Sequence, residues 1–383
     1  EAIWEVDRNA WPDEPPSLKV RHRAAWLEEG DVALAALSYC WATPEHPDPT
    51  GEQLGRVARV VEMMLSRAKE VLIFIDWCSI YQAPRTDVQL EAFKRALRNV
   101  NLWYAHQLIF SLLLTVVPEG VVPYVERGWP AFEFAISGLV KHSNMFLDMA
   151  GVPQDTQVAS LEDLKSKLIE PCRISRPAPC TPLNFRKKLD SLKFTNGSDR
   201  AFVMKKYLST FQEVIASTPG FAFTNLNWGA EEGRELAEAL PWCSSLHKID
   251  LTNCSISTEG IGHMARALKA CPTLRTLDVG NCGLGDAGVK HLVGVLGETG
   301  LVNLWLAKNG IGDDGASLLA DMLEGKDCKL CELSLNGNLV TEVGARRLAV
   351  ALRSEGCRLE LLRLNNISSI GDASAEALAA GAK

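Results

Sequence analysis

One pattern between Leu246 and Leu364 constrains the fold more than any other feature of the chain. Leu246-x-x-Ile249-x-Leu251-x-x-Cys254-x-Ile256 is followed by Leu274-x-x-Leu277-x-Val279-x-x-Cys282-x-Leu284. Leu301-x-x-Leu304-x-Leu306-x-x-Asn309-x-Ile311 and Leu330-x-x-Leu333-x-Leu335-x-x-Asn338-x-Val340 come next. A fifth copy, Leu359-x-x-Leu362-x-Leu364, leaves register after Asn366. The opening leucines are 28, 27, 29 and 29 residues apart. A period in that range belongs to stacked supersecondary units that bury one continuous core and cannot fold singly.

Within a unit, the alternation of the second and third leucines predicts a short strand whose leucines point inward. Asn or Cys at the ninth position predicts a side chain that bonds backbone groups at the turn leaving the strand. A helical stripe follows, as in Ala287, Val289, Leu292, Val293, Val295 and Leu296, or Ala345, Leu348, Ala349 and Leu352. Asp286, Asp313 and Thr341 stand where helix N-caps are expected. These units resemble the ribonuclease-inhibitor type of leucine-rich repeat, with a strand and a full helix in each. Phe221, Phe223 and Leu226, then Glu231 to Leu240, read as a degenerate opening unit that caps the stack, so the solenoid is placed at residues 218–383.

Such stacks bind macromolecules on their strand-lined face. The outward position between the second and third leucines carries Asp250, Asp278, Trp305, Ser334 and Arg363. Trp305 is the expected anchor, because an aromatic among polar neighbours suits an interface. Asp250, Asp278, Asn303, Glu332 and Arg363 complete the expected protein-binding face. The face is not basic enough for nucleic acid.

Composition adds bounds rather than function. The 383 residues predict two or three domains, and the net charge of −7 argues against nucleic acid. Eleven scattered cysteines fit an intracellular, reducing compartment better than a disulfide framework. Cys328-Lys-Leu-Cys331 is a lone C-x-x-C, so no metal site is expected. The longest apolar run, Leu108 to Val117, is too short to span a bilayer. The chain opens on Glu1 rather than Met, so targeting is not readable from its start.

After an extension at residues 1–30, residues 31–145 alternate strand and helix. Val32 to Tyr39, Val71 to Ile75 and Leu108 to Val117 read as buried strands. Stripes at Leu54, Val57, Val61, Met64 and Leu65, and at Leu90, Phe93, Leu97 and Val100, read as helices, with a third starting near Trp129-Pro130. The order implies a parallel sheet with helices on both faces, whose chemistry gathers at the carboxyl ends of the strands.

Those ends carry Leu37-Ser38-Tyr39-Cys40-Trp41, Phe74-Ile75-Asp76-Trp77-Cys78-Ser79-Ile80-Tyr81-Gln82 and Arg127-Gly128-Trp129-Pro130-Ala131-Phe132-Glu133. The three segments resemble the signatures of the heterokaryon-incompatibility (HET) domain, and Trp129-x-x-x-Glu133 is similar to the W-x-x-x-E of TIR domains. Pro130 and Ala131 depart from residues common in those domains. Phe132 stands where HET domains carry Gln, and Tyr81 where they favour Asn. The resemblance implies a flavodoxin-like or TIR-like fold and, in enzymatic members, NAD glycohydrolase activity through the glutamate. On that reading Glu133 would stabilise the oxocarbenium-like cation formed on the ribose. Trp129, four residues away, would share its pocket, and Asp76 and Ser38 would contact ribose or phosphate.

Residues 146–217 read as a connector: a proline-rich extended stretch from Pro171 to Pro182, then a helix from Arg200 capped by Ser198 or Asp199. No G-x-x-x-x-G-K-[ST] loop lies between the two modules. The reading favoured by the residues is a non-catalytic interaction or scaffold protein, possessing no cofactor and serving as a subunit of a larger protein assembly. The alternative is an NAD-cleaving effector with the repeats as sensor and NAD as substrate only.

Overall fold

The computed structural model describes residues 32–43, 46–66, 68–153, 156–173, 176–367 and 371–381. The extension at 1–30 lies outside the described residues. The first sheet is built from β1 (Val32–Tyr39), β2 (Glu70–Phe74), β3 (Phe110–Leu114) and β4 (Phe146–Asp148), in the order β2-β1-β3-β4. Every pairing is parallel, with Val32 opposite Glu70, Ala35 opposite Phe110 and Ser111 opposite Phe146. Chain order reverses at the β1/β3 pair, so the carboxyl ends of those strands open a crevice.

Helices cover both faces. Helix α1 (Glu52–Leu65) lays Val57, Val60, Val61 and Met64 on Ala35, Leu37 and Leu112. After the short α2 (Asp76–Ser79), helix α3 (Asp87–Ala105) starts at a capping box, in which Thr86 and Gln89 satisfy each other's backbone amides. Together with α4 (Gly128–Ser137), α3 packs Val100, Tyr104, Phe132 and Ile136 on the opposite face.

Three details differ from the sequence expectations. The second strand is an edge strand, not a buried one, and leaves Leu72 54% exposed. The third is confined to Phe110–Leu114, shorter at both ends than the expected Leu108 to Val117. A fourth strand, β4, lies just past the boundary expected at 145 and pairs with β3.

The connector is not an extended tether. Arg176, Ala178, Cys180 and Thr181 are buried, and α5 (Pro182–Leu189) and α6 (Asp199–Ser217) insert Phe185, Tyr207 and Phe211 into the same core as α4. That core runs on without interruption into the repeats. Ser198 sits at the N-cap of α6 without a side-chain cap bond.

The solenoid carries β5 (Gly220–Ala222), β6 (Lys248–Asp250), β7 (Thr276–Asp278), β8 (Asn303–Trp305), β9 (Glu332–Ser334) and β10 (Leu361–Arg363) in strict sequence order, all parallel. Helices α7 (Ala230–Ala239), α8 (Ser257–Leu268), α9 (Gly285–Leu296), α10 (Asp313–Glu324), α11 (Glu342–Leu352) and α12 (Asp372–Gly381) alternate with them. The expected opening unit is β5 with α7.

The ninth position behaves as its chemistry requires. The amide of Asn309 accepts from Cys282 N at 2.9 Å and donates to Val279 O at 2.9 Å; Asn338 repeats the arrangement one unit on, accepting from Asn309 N and donating to Leu306 O, each at 2.9 Å. In the earlier units Cys254 donates to Phe223 O at 2.9 Å and Cys282 to Leu251 O at 3.2 Å. Burial pushes these thiols up to about 11 and about 12, so they keep the donated proton. One residue earlier, Asn225, Asn253, Asn281, Lys308, Gly337 and Asn366 all take positive φ, the left-handed turn that releases each strand.

Thr341 caps its own helix, as expected, accepting from Val343 N at 3.2 Å. Asp286 and Asp313 do not cap theirs. Asp286 accepts from Gly312 N at 2.8 Å, and Asp313 from Thr341 N at 2.8 Å and Gly344 N at 2.9 Å. Each carboxylate satisfies the helix start of the following unit, which ties neighbouring repeats through charge-assisted bonds.

Candidate functional site

The expected pocket residues gather at the carboxyl end of the first sheet. Ser38 is the penultimate residue of β1, and Glu133 lies one turn into α4. The Ser38 hydroxyl donates to Glu133 Oε2 at 2.5 Å and meets the Tyr124 hydroxyl at 2.6 Å. The Tyr124 hydroxyl also donates to Pro130 O at 3.3 Å. All three are buried, with Glu133 9% exposed. Burial first, and the nearby Asp76 charge second, hold the Glu133 carboxyl well above the usual range; the Ser38 bond opposes this without overcoming it.

Asp76 heads α2 at the end of β2. It accepts from Trp77 N at 2.7 Å and from the Trp41 indole at 3.2 Å, and burial holds it above its ordinary range. Tyr39 is buried beside it, its hydroxyl lacking any hydrogen bond of ordinary geometry. Trp41 and Trp77 meet edge to face at 5.0 Å, and Arg127 fixes the Trp41 carbonyl at 3.0 Å. Cys40 and Cys78 form no disulfide among the described residues, and burial raises Cys40 to about 11.

Trp129 goes elsewhere. Its indole donates to Asp199 at 2.9 Å, and its ring packs on Phe132 and Phe202, at the seam of α4 and α6. Trp129 and Glu133 are therefore on one helix but share no partner. Gly128, between Arg127 and Trp129, has a packing reason: a Cβ there would stand 2.0 Å from the Phe194 ring. The structure brings Ser38, Glu133 and, at the rim, Asp76 together; it places Trp129 in the interface with the connector.

On the solenoid, the expected face residues form adjacent columns. Asp278 lies beside Asp250 and Trp305, and Trp305 beside Ser334. Asp250 accepts from Thr252 N and its hydroxyl at 3.1 and 2.8 Å, and Asp278 from Gly280 N at 3.0 Å. Burial, with Asp250 adding to it, raises the Asp278 carboxyl. Asn303 donates to Thr276 at 3.0 Å, and Glu332 pairs with Arg363 at 2.9 Å. The half-buried Trp305 has an indole N–H that is itself buried and has no hydrogen-bond partner among the described residues, while its ring takes the Lys248 ammonium at 5.2 Å. Sequence reading passed over Lys248. Its signal was available, since it holds the same outward position as Asn303 in the repeat frame.

Among the described residues no group of three or more His, Cys, Asp or Glu could hold a metal ion, and no helix is long and apolar enough to cross a membrane. Cys328 and Cys331 are both free. No curated protein matches the chain. The HET and TIR resemblance of the first sheet carries no family-model match, whereas the leucine-rich-repeat family model matches residues 270–293 and 301–320, which hold β7 with most of α9 and β8 with most of α10.

Proposed function

We propose that this is a scaffold protein that docks a partner protein on the strand-lined face of its repeats, within a larger assembly. The single observation that carries this reading is Trp305: a partly exposed aromatic at the middle of the face, with Asp278 and Ser334 beside it. A partly exposed aromatic among polar neighbours offers the apolar surface that anchors a protein partner. Leucine-rich repeats are suited to protein partners because their parallel strands present a long, rigid surface.

The HET/TIR-like sheet serves, on this reading, as a non-catalytic second module. Burial that holds the Glu133 carboxyl well above its usual range works against the negative charge needed to stabilise an oxocarbenium cation, which disfavours NAD cleavage. The sheet instead shares its core with the solenoid and fixes the direction in which the face points.

The test is affinity capture of partners from the source cell with wild type, Trp305→Ala and a control, Val350→Ser, on the outer helix α11. A partner lost with Trp305→Ala and retained with Val350→Ser supports the face. Equal recovery by all three would reject it.

A further inference from the structure

The edge of the solenoid where helices return into strands holds a cavity of about 410 Å³ between the β7, β8 and β9 units. Its lining includes Lys269, Arg275 and Lys329, and a single carboxylate, Glu298. Glu298 is engaged by Lys269 at 2.5 Å. Arg275 and Lys329 face the cavity with no carboxylate partner among the described residues.

Arg275 is held in place by backbone rather than by charge. Its Nη1 donates to the carbonyls of Pro272 at 2.8 Å, Leu274 at 3.1 Å and Gly300 at 3.3 Å. Gly300 makes this seat possible, since a Cβ there would stand 2.3 Å from Arg275 Nη1. Among the described residues, Nε and Nη2 make no hydrogen bond. Lys329 Nζ donates once, to Thr299 O at 3.2 Å, and has further protons to give. The cations satisfy loop carbonyls with part of their donors only.

We propose that this cavity binds a small phosphate-type oxyanion. The Nε–Nη2 edge of Arg275 takes two oxygens in the paired geometry that guanidinium shares with phosphate, and Lys329 supplies a mobile point charge. Because the guanidinium is already immobilised, little conformational freedom is lost on binding. The site is separate from the strand-lined face, so it stands or falls independently of the partner reading.

The experiment titrates the full chain, in phosphate-free buffer, with inorganic phosphate and with glycerol phosphate, following backbone amide shifts at Thr299 and Gly300. Wild type is expected to bind with a Kd of about 1 mM or tighter. Arg275→Lys keeps the charge but loses the paired edge, and Gly300→Ala keeps every charge but dislodges the seat; each should weaken binding about tenfold. Lys308→Gln, a cation outside the cavity, should leave it unchanged. Tighter binding of the ester than of the free anion identifies an organic phosphate as the natural occupant, and equal binding identifies the free anion. No saturable shift up to about 10 mM ligand, or equal binding by Arg275→Lys, Gly300→Ala and Lys308→Gln, overturns the proposal.

Discussion

The guanidinium carbon of Arg176 stands 3.8 Å from the centre of the Phe223 ring, stacked where the first module meets the first repeat. Its Nη2 donates to Gly138 O at 2.8 Å and Lys141 O at 3.1 Å, just past the end of α4, while its own carbonyl accepts the Trp228 indole at 2.9 Å. Burial lowers Arg176 to about 9, so it stays charged at neutral pH. A cation at a helix C-terminus is favoured by the dipole, which substitutes for the missing carboxylate. Arg176→Met strands two buried acceptors and is expected to destabilise the protein by about 3 kcal/mol. Because the core is continuous, sheet and solenoid should still unfold in one transition, seen as coincident urea curves from tryptophan fluorescence and circular dichroism. Two separated transitions in wild type would contradict the shared core.

Glu133 makes stability depend on pH in a defined direction. Its folded pKa is raised, so its contribution is complete below the unfolded value of about 4.3 and is lost as pH rises through the folded value. Glu133→Gln mimics the neutral form and can keep a Ser38 bond. Urea unfolding at roughly pH 5, 6.5 and 8 should show wild type weakening with pH more steeply than Glu133→Gln. Some slope should remain, since Asp76 is shifted the same way. Identical slopes would mean that the glutamate is ionised in the folded protein.

Much of the solenoid was legible because each repeat states the same instruction. Ile249, Leu277, Leu304 and Leu333, chosen by spacing alone, are all fully buried and stand in register. The junction was illegible for an equally physical reason. Lys141 and Arg176 are charged residues that read as surface, yet both are buried, with Lys141 bonded to the carbonyls of His106 and Ile109. Their partners are backbone carbonyls, which have no signature in sequence. Likewise β4 is three residues, too short to show alternation. Asp286 and Asp313 look like caps and are caps, but of the next unit, a distinction that only stacking decides.

The ninth-position ladder should grade with donor and acceptor capacity. Asn338→Ala leaves Asn309 N, Ile311 N, Leu306 O and Leu335 O without their side-chain partner and is expected to lose about 3 kcal/mol. Cys254→Ala removes a thiol that donates to Phe223 O and accepts weakly from Leu226 N, and should lose about 1 kcal/mol. Asn338→Cys should fall between them, since a thiol can donate to a carbonyl but cannot collect two amides. Chemical denaturation ranks the three, and an Asn338→Cys no better than Asn338→Ala would show that the thiol geometry does not transfer between units.

Trp305 should separate stability from binding. Its ring is half-buried, its N–H makes no hydrogen bond among the described residues, and the Lys248 ammonium over the ring is exposed and already paired with Asp250 at 3.6 Å. Truncation to alanine therefore removes little that holds the fold, and the loss of stability should stay near about 1 kcal/mol. A central aromatic anchor is worth about 2 kcal/mol or more in an interface, so affinity for a partner seated there should fall by about 30-fold. Lys248→Met tests the same geometry from the other side: it keeps the contact with the ring but removes the charge, and should change affinity by less than about threefold. Calorimetry with the captured partner, alongside thermal melts of each variant, distinguishes the outcomes. A Trp305→Ala protein that binds normally but melts far below wild type would make the tryptophan a structural residue and move the contact surface off this face.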